Sequence, residues 1–233
     1  MRRREPRFRR ALCALLTLLC LLELCKLPVG AQTQVHRSVQ TDTMKIALTF
    51  DDGPHPSLTG QILDILDAHN VKATFFMVGI NVFYYPEVAK EVLKRGHEVG
   101  NHTFSHSHIP KMSSSVLKRE IEECEDILEE LCEYRPHLFR PPQGALNEAV
   151  EHCAEQGDYA LVLWSLDTRD WECKDTEQIV DTVLERIQSG DIVLMHDYIG
   201  VASRTPDALR ILLPKLLERG FEPTTVSDLL GMQ

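Results

Sequence analysis

The chain is short of the features that would make it a stacking, stapled or membrane-spanning protein. Aromatic residues are only 6% of its 233 residues, which argues against an ordinary glycan-binding module, since such modules rely on exposed rings. No two cysteines stand at the C-x-x-C spacing of a structural zinc site. No G-x-S-x-G elbow is present, so the serines near the polar motifs (Ser105, Ser107, Ser165) read as solvated or structural rather than nucleophilic. Repeats and low-complexity tracts are absent. Basic charge is in deficit, with 25 Lys and Arg against 35 Asp and Glu and a formal net charge of −10. That balance excludes nucleic acid as a partner and disfavours binding of polyanions by charge alone.

What is basic is concentrated at the start. Arg2, Arg3, Arg4, Arg7, Arg9 and Arg10 precede the apolar run "ALCALLTLLCLL", and "LPVGAQ" follows with Val29 and Ala31 at a small-x-small site. This is the pattern of a secretory signal, residues 1–31, cut near Ala31. Glu23 and Lys26 interrupt the run, leaving it too short to cross a bilayer comfortably; the membrane is a partner only if the segment stays on as an anchor. Residues 1–31 carry seven basic and two acidic side chains, so their removal takes the formal charge from −10 to −15. An exported chain, secreted or held at a cell wall, is expected. Cys13, Cys20 and Cys25 leave with the signal. Cys124, Cys132, Cys153 and Cys173 remain, and they read as ordinary half-buried thiols with room for one disulfide. Cys124 and Cys132 cannot bridge each other if they share one helix.

Residues 32–44 are polar and read as a flexible leader. From Lys45 the pattern alternates. Apolar runs recur at "KIALTF", "KATFFMV", "HEVG", "HLFR", "YALVLW", "DIVLM" and "FEPTTV". Helical patterns occupy 57–69, 82–95, 113–131, 146–156, 175–188 and 205–219, with Ser113 to Ser115 as cap candidates. Gly96, Gly157, Gly190 and Gly220 fall where left-handed helix caps are expected. Strand and helix in alternation imply a parallel sheet or barrel, whose chemistry gathers at the C-terminal strand ends. The polar oddities do follow the runs: "DDGP", "NHTFSHSH", "RPPQG", "SLDTRDW" and "HDY".

His102 and His106 are four apart, close enough for both imidazoles to face one ion. A lone H-x-x-x-H is a weak signal, and Thr103 stands where a zincin would need Glu. A carboxylate must come from elsewhere, and Asp51 or Asp52 can supply it. Two histidines and one carboxylate form a triad that leaves positions open on a metal. The second aspartate stays free to take a proton from water at the ion. The alternative, a helix cap near Ser57, explains one aspartate and leaves the other without a role.

"TFDDGP", "HTFSH", "RPPQG", "DTRDW" and "LMH", in that order, resemble the five motifs of the polysaccharide deacetylases, the NodB-homology domain of carbohydrate esterase family 4. The likeness runs over residues 45–230. It implies an α/β fold, a distorted (β/α)7-type barrel of NodB-like form, and hydrolysis of acetyl groups on an acetylated glycan. It also implies a divalent metal: zinc first, cobalt or nickel otherwise. By motif position, Asp51 resembles the general base, and Asp52, His102 and His106 the metal ligands. Arg140 resembles the brace of the base, Asp170 the carboxylate that orients the catalytic histidine, and His196 the general acid. Gln143, Trp171 and Leu194 resemble the substrate-binding positions: an oxyanion-holding backbone N–H, an aromatic wall and the acetyl-methyl pocket. Gln143 departs from the family's usual aromatic residue there. An ion pair between Asp167 and Arg140 fits the pattern. The leading substrate is a GlcNAc- or MurNAc-containing polymer, peptidoglycan before chitin-like chains. O-acetyl ester hydrolysis on xylan-type glycans and a catalytically inactive glycan-binding module are the alternatives.

Outside the motifs, His55, His97 and His108 occupy no ligand position. The sequon Asn101-His102-Thr103 reads as accidental, and Trp164 as core. Phe83, Tyr84 and Tyr85 serve either sugar stacking or helix-start packing, and "EECEDILEE" is expected to be a solvated helix face.

Overall fold

Each of the seven apolar runs becomes a parallel strand, and each helical pattern a helix against the sheet, the one at 82–95 broken into two at Tyr85. The structure, a computed structural model, describes residues 34–198 and 203–232; the expected signal segment lies outside them. In chain order the elements are β1 (Val35–His36), β2 (Lys45–Asp51), α1 (Leu58–Ala68), β3 (Thr74–Met77), α2 (Gly79–Tyr84), α3 (Pro86–Lys94) and β4 (Glu98–Asn101). Then follow α4 (Ser114–Cys132), β5 (Leu138–Phe139), α5 (Glu148–Gln156), β6 (Ala160–Val162), β7 (Leu166–Asp167) and α6 (Thr176–Arg186). The chain closes with β8 (Ile192–His196), α7 (Thr205–Glu218), β9 (Glu222–Thr224) and α8 (Val226–Leu230). Among the described residues no helix is long and apolar enough to cross a membrane.

The strands pair in the order β1-β6-β5-β4-β3-β2-β8-β7, all parallel, with β9 added to β2. This is the expected α/β architecture, a curled, barrel-like sheet with helices outside it. Its centre is β2, whose residues from Ile46 to Asp51 are all buried. One edge of β2 pairs with β8 over Ala47 to Asp51. The other is shared by β9 at its start and β3 at its end. Side chains alternate across a strand, and here the two faces have different fates. Ile46, Leu48 and Phe50 pack outward against helices in the largest core cluster, which also holds Ile62, Leu66, Leu209 and Leu213. Ala47 points inward with Phe76, Leu138, Val162 and Ile192, and this inner cluster is closed by Val226 and Leu229 of α8. Thr49 and Asp51 continue the inward row. On β8 the same rule sends Val193 and Met195 outward and leaves Leu194 and His196 on the cleft side.

Three expectations need correction. The leader is not free of structure: Val35 and His36 form β1 by pairing with Leu161 and Val162 of β6, and Val39 N–H donates to Gly190 O. Val35 packs on the cluster around Leu161 and Val39 on the inner cluster, so the segment covers an otherwise open edge. Gly96, Gly190 and Gly220 have φ of 75°, 84° and 83°, but Gly157 has φ −87°; Asp158 takes the left-handed conformation one residue later at φ 57°. The acidic face of α4 is solvated except at Glu125, which accepts the Tyr159 hydroxyl and pairs with Arg135. Cys124 and Cys132 do share α4, and all four described cysteines are free.

Candidate active site and metal centre

Asp51 is the last residue of β2 and faces inward two places beyond Thr49. Strand alternation would turn Asp52 away from it. Asp52 instead adopts φ 77°, which breaks the alternation and brings both carboxylates to one cleft. Asn81 of α2 fixes that turn by donating its Nδ2 to Asp52 O at 2.7 Å. Gly53 then passes so close to the Asp197 carboxyl that a Cβ would lie 2.2 Å from Oδ2, so only glycine fits. The helix-cap role for an aspartate is not used: His55 Nδ1 accepts the Ser57 and Leu58 N–H groups at the start of α1.

The two histidines come from the loop after β4. They do not sit on a helical turn; left-handed backbone at Thr103 (φ 67°) and His106 (φ 53°) folds the loop back on itself. Asn101 holds it, accepting Thr103 N–H at 2.9 Å and donating to Ile121 O at 2.9 Å and to Tyr159 Oη. Fully buried in this way, Asn101 is out of reach of glycosylation, in line with an accidental sequon. Glu120 accepts Ser105 N–H and the Ser105 hydroxyl. His102 gives its Nδ1 to Arg140 O at 2.7 Å, which leaves Nε2 to face Asp52.

Asp52 Oδ1 lies 3.4 Å from His102 Nε2 and 3.1 Å from His106 Nε2. It is buried, yet no hydrogen bond reaches it. Three donor atoms within 4.8 Å of one another that face a common point, one of them otherwise unsatisfied, fit a divalent cation. Burial pushes the Asp52 carboxyl up, but the two imidazoles beside it outweigh this and hold it well below the usual carboxylate range. Asp52 in turn raises His106.

Asp51 is left out of that triad and is gripped from behind. Arg140 is the largest fully buried side chain among the described residues. Its Nη1 donates to Asp51 Oδ1 at 2.6 Å and to Thr49 Oγ1 at 2.8 Å, and its Nη2 to Leu163 O at 3.1 Å. The guanidinium stacks 4.0 Å above the Phe76 ring. The expected pairing of Arg140 with Asp167 does not occur. Asp167 accepts the Arg169 N–H at 2.8 Å and lines the cleft, while the Arg140 guanidinium is already committed to Asp51, Thr49 and Leu163 O.

On the cleft wall, His196 gives Nδ1 to Asp170 Oδ1 at 2.8 Å, and its backbone N–H donates to Asp170 Oδ2 at 2.8 Å. Burial alone would lower the imidazole; the Asp170 hydrogen bond and charge, with Asp51 and Asp52 beyond, lift it to about 9. The cleft measures about 420 Å³, and Gln143, Trp164, Asp167, Trp171, Leu194 and His196 line it with the two aspartates and two histidines. All ten residues singled out from the sequence therefore meet in one place: eight line the cleft, and Arg140 and Asp170 support it from behind. Gln143 is held in left-handed backbone at φ 59°, with its Oε1 3.3 Å from His108 Nδ1.

Trp164, expected in the core, is half-buried: it packs against the inner cluster and also lines the cleft. Alternation from the inward-facing Val162 would have found it. Thr49, two places before Asp51, was legible by the same count. Thr205, which donates to Asp170 Oδ2 at 2.6 Å, had no signal in the sequence. His55, His97 and His108 stay out of the triad as expected. Phe83 and Tyr84 are exposed and pack edge to face with each other, and neither lines the cleft.

The polysaccharide deacetylase family profile matches residues 38–162. A peptidoglycan-N-acetylglucosamine deacetylase of Bacillus cereus is 44% identical over 79% of this chain and 87% of its own length. A chitooligosaccharide deacetylase of Rhizobium leguminosarum bv. trifolii is 37% identical over 78% of this chain and 89% of its own. Among solved structures, a peptidoglycan N-acetylglucosamine deacetylase in complex with a naphthyl-substituted N-hydroxybenzamide superposes with a TM-score of 0.82 at 34% identity, covering 85% of this chain and 94% of that one.

Proposed function

The chain belongs to the polysaccharide deacetylase family and is a polysaccharide N-deacetylase, and from that premise we propose that it removes N-acetyl groups from a GlcNAc- or MurNAc-containing polymer, peptidoglycan before chitin-like oligomers, outside the cell. One observation carries the reading. A triad fit for a cation sits beside a carboxylate that is not part of it, and a histidine braced by a buried carboxylate stands on the same cleft.

Asp52, His102 and His106 would hold the ion, which we take to be zinc. When bound, such a cation polarises the acetyl carbonyl and makes water at the site more acidic. Asp51 takes the proton from the attacking water; Arg140 occupies its Oδ1 and leaves Oδ2 toward the cleft, 3.8 Å from His102 Nε2. To the Gln143 N–H, on the cleft lining, we assign the oxygen on which negative charge develops. Trp164, Trp171 and Leu194 form the apolar wall against which the acetyl methyl and sugar face rest. His196, with Nδ1 committed to Asp170, presents Nε2 to the departing nitrogen and protonates it. The amine and acetate then leave. Export is supported by the basic and apolar segment at residues 1–31 alone.

Acetate release is the deciding measurement, taken across N-acetylated peptidoglycan, chitooligosaccharides and acetyl-xylan, with and without a chelator. Release from the first two that stops with chelator and returns with zinc is expected. Release from acetyl-xylan alone would overturn the assignment to the amide bond.

A further inference from the structure

Asp170 is the hub of the proton-donating side of the site, and it is held by more than His196. Its carboxylate, 3% exposed, receives His196 Nδ1–H on Oδ1. On Oδ2 it receives both the His196 backbone N–H at 2.8 Å and the Thr205 hydroxyl at 2.6 Å. Thr205 is the first residue of α7, fully buried, and separated from Asp170 by 35 positions in sequence. Its Oγ1 accepts the Ser203 hydroxyl at 3.1 Å, while Ser203 Oγ accepts the Thr205 N–H. With Ser203 donating to it, the Thr205 hydroxyl has its own hydrogen to give to Asp170. A chain of donors thus runs from Ser203 through Thr205 and Asp170 to His196.

From this arrangement we infer that Thr205 is a positioning residue of the active site: its hydroxyl fixes the Asp170 carboxylate and sets how tightly that carboxylate holds the ring proton of His196. A donor to a carboxylate stabilises the charged form and reduces what the carboxylate offers its other partners. Removing the Thr205 donor therefore leaves more of the Asp170 charge to His196, and His196 becomes a weaker acid. The other charged groups facing His196 are Asp51, which is its register partner on β2, Asp52 and His106. None of them lies on α7, so a change at Thr205 reaches the imidazole through Asp170. The inference rests on the reading of His196 as the proton donor.

The test uses zinc-loaded full-length protein labelled with ¹⁵N-histidine. The His196 ring is titrated by NMR, and kcat and KM are measured against pH on a chitooligosaccharide. Thr205→Val, which keeps the shape and removes the donor, should raise the His196 midpoint by roughly half to one pH unit. Thr205→Ala should shift it in the same direction, and Thr205→Ser should restore the wild-type midpoint. The alkaline limb of kcat should follow, with KM unchanged. A midpoint in Thr205→Val and Thr205→Ala that coincides with wild type, whatever happens to the melting temperature, would overturn the inference. If the NMR midpoint moves while kcat does not respond, the coupling through Asp170 stands and the proton-donor role of His196 is what fails.

Discussion

Arg140→Met tests whether the buried pair beneath the cleft is an energetic unit. Arg140 and Asp51 meet at 2.6 Å with side-chain exposures of 0% and 4%. Water replacing the guanidinium would have to enter the inner core beside Phe76. Removing one member of such a pair strands the other charge, at a cost of about 3–5 kcal/mol. That is a large part of the ~5–15 kcal/mol that stabilises a domain. For a chain of this size it corresponds to a drop of roughly 6–20 °C in melting temperature. Asp51→Asn in the same background removes the stranded charge, so the double variant should recover about 2 kcal/mol or more relative to the sum of the singles. The assay is urea unfolding of all four proteins at saturating zinc, with linear extrapolation. Acetate release should fall roughly a hundredfold in Arg140→Met, since an unbraced base loses its placement. Arg140→Lys should not rescue it, because one ammonium cannot reach Asp51, Thr49 and Leu163 O together. A loss below about 1 kcal/mol for Arg140→Met, or strict additivity in the cycle, would refute the argument.

The remaining expectations concern the ion and the proton. Asp51→Asn should keep its metal and lose turnover, whereas His102→Ala should lose both, as read by elemental analysis of the purified proteins beside acetate release. A wild-type rate in Asp51→Asn would move the base elsewhere. His196→Ala should slow the reaction by roughly 10²–10⁴. Because His196 is lifted to about 9, its proton is in place at neutral pH and activity should fall as pH rises through that value. Its stabilising contribution has the same sign: fully present below the ordinary histidine value and lost as pH climbs through about 9. Asp170→Asn removes the group that opposes burial, so the alkaline limb should move down; a limb that stays in place would separate Asp170 from the titration.

The five polar clusters were legible because a parallel strand ends where its apolar run ends, and the rim follows from that alone. Period two carried further: Ala47, Thr49 and Asp51 on one face and Leu194 and His196 on the neighbouring strand share the inner side. It failed where the backbone leaves the strand. Nothing in "DDGP" announces that Asp52 turns to φ 77°, nor in "HTFSH" that two left-handed residues replace a helical turn. β1 was illegible because two side chains give no periodicity, and its partner β6 lies more than a hundred residues away. Asp167 misled because opposite charge alone suggested Arg140, and nothing in the sequence shows that this guanidinium is taken by Asp51, Thr49 and Leu163 O. Thr205 is the limiting case, since a threonine that opens a helix reads as nothing more than that.

The adjacency of Asp51 and Asp52 now has a physical cause. A base and a ligand need opposite surroundings within a few ångströms: one braced by a cation and kept off the metal, the other unbraced and free to give its oxygen to it. Two residues on one strand face cannot differ so much, because they share neighbours. Two consecutive residues can, provided the second leaves the strand, since the first then keeps the inner row with Thr49 and Arg140 while the second belongs to the loop. The change of conformation at that junction requires a residue without a side chain next in line, pressed on the Asp197 carboxyl. Asp197 is anchored in turn by the Thr59 hydroxyl at 2.5 Å and by its own N–H to Asp51 O. The residue after the proton donor thus shapes the turn that separates base from ligand, which ties both halves of the reaction to adjacent positions on neighbouring strands.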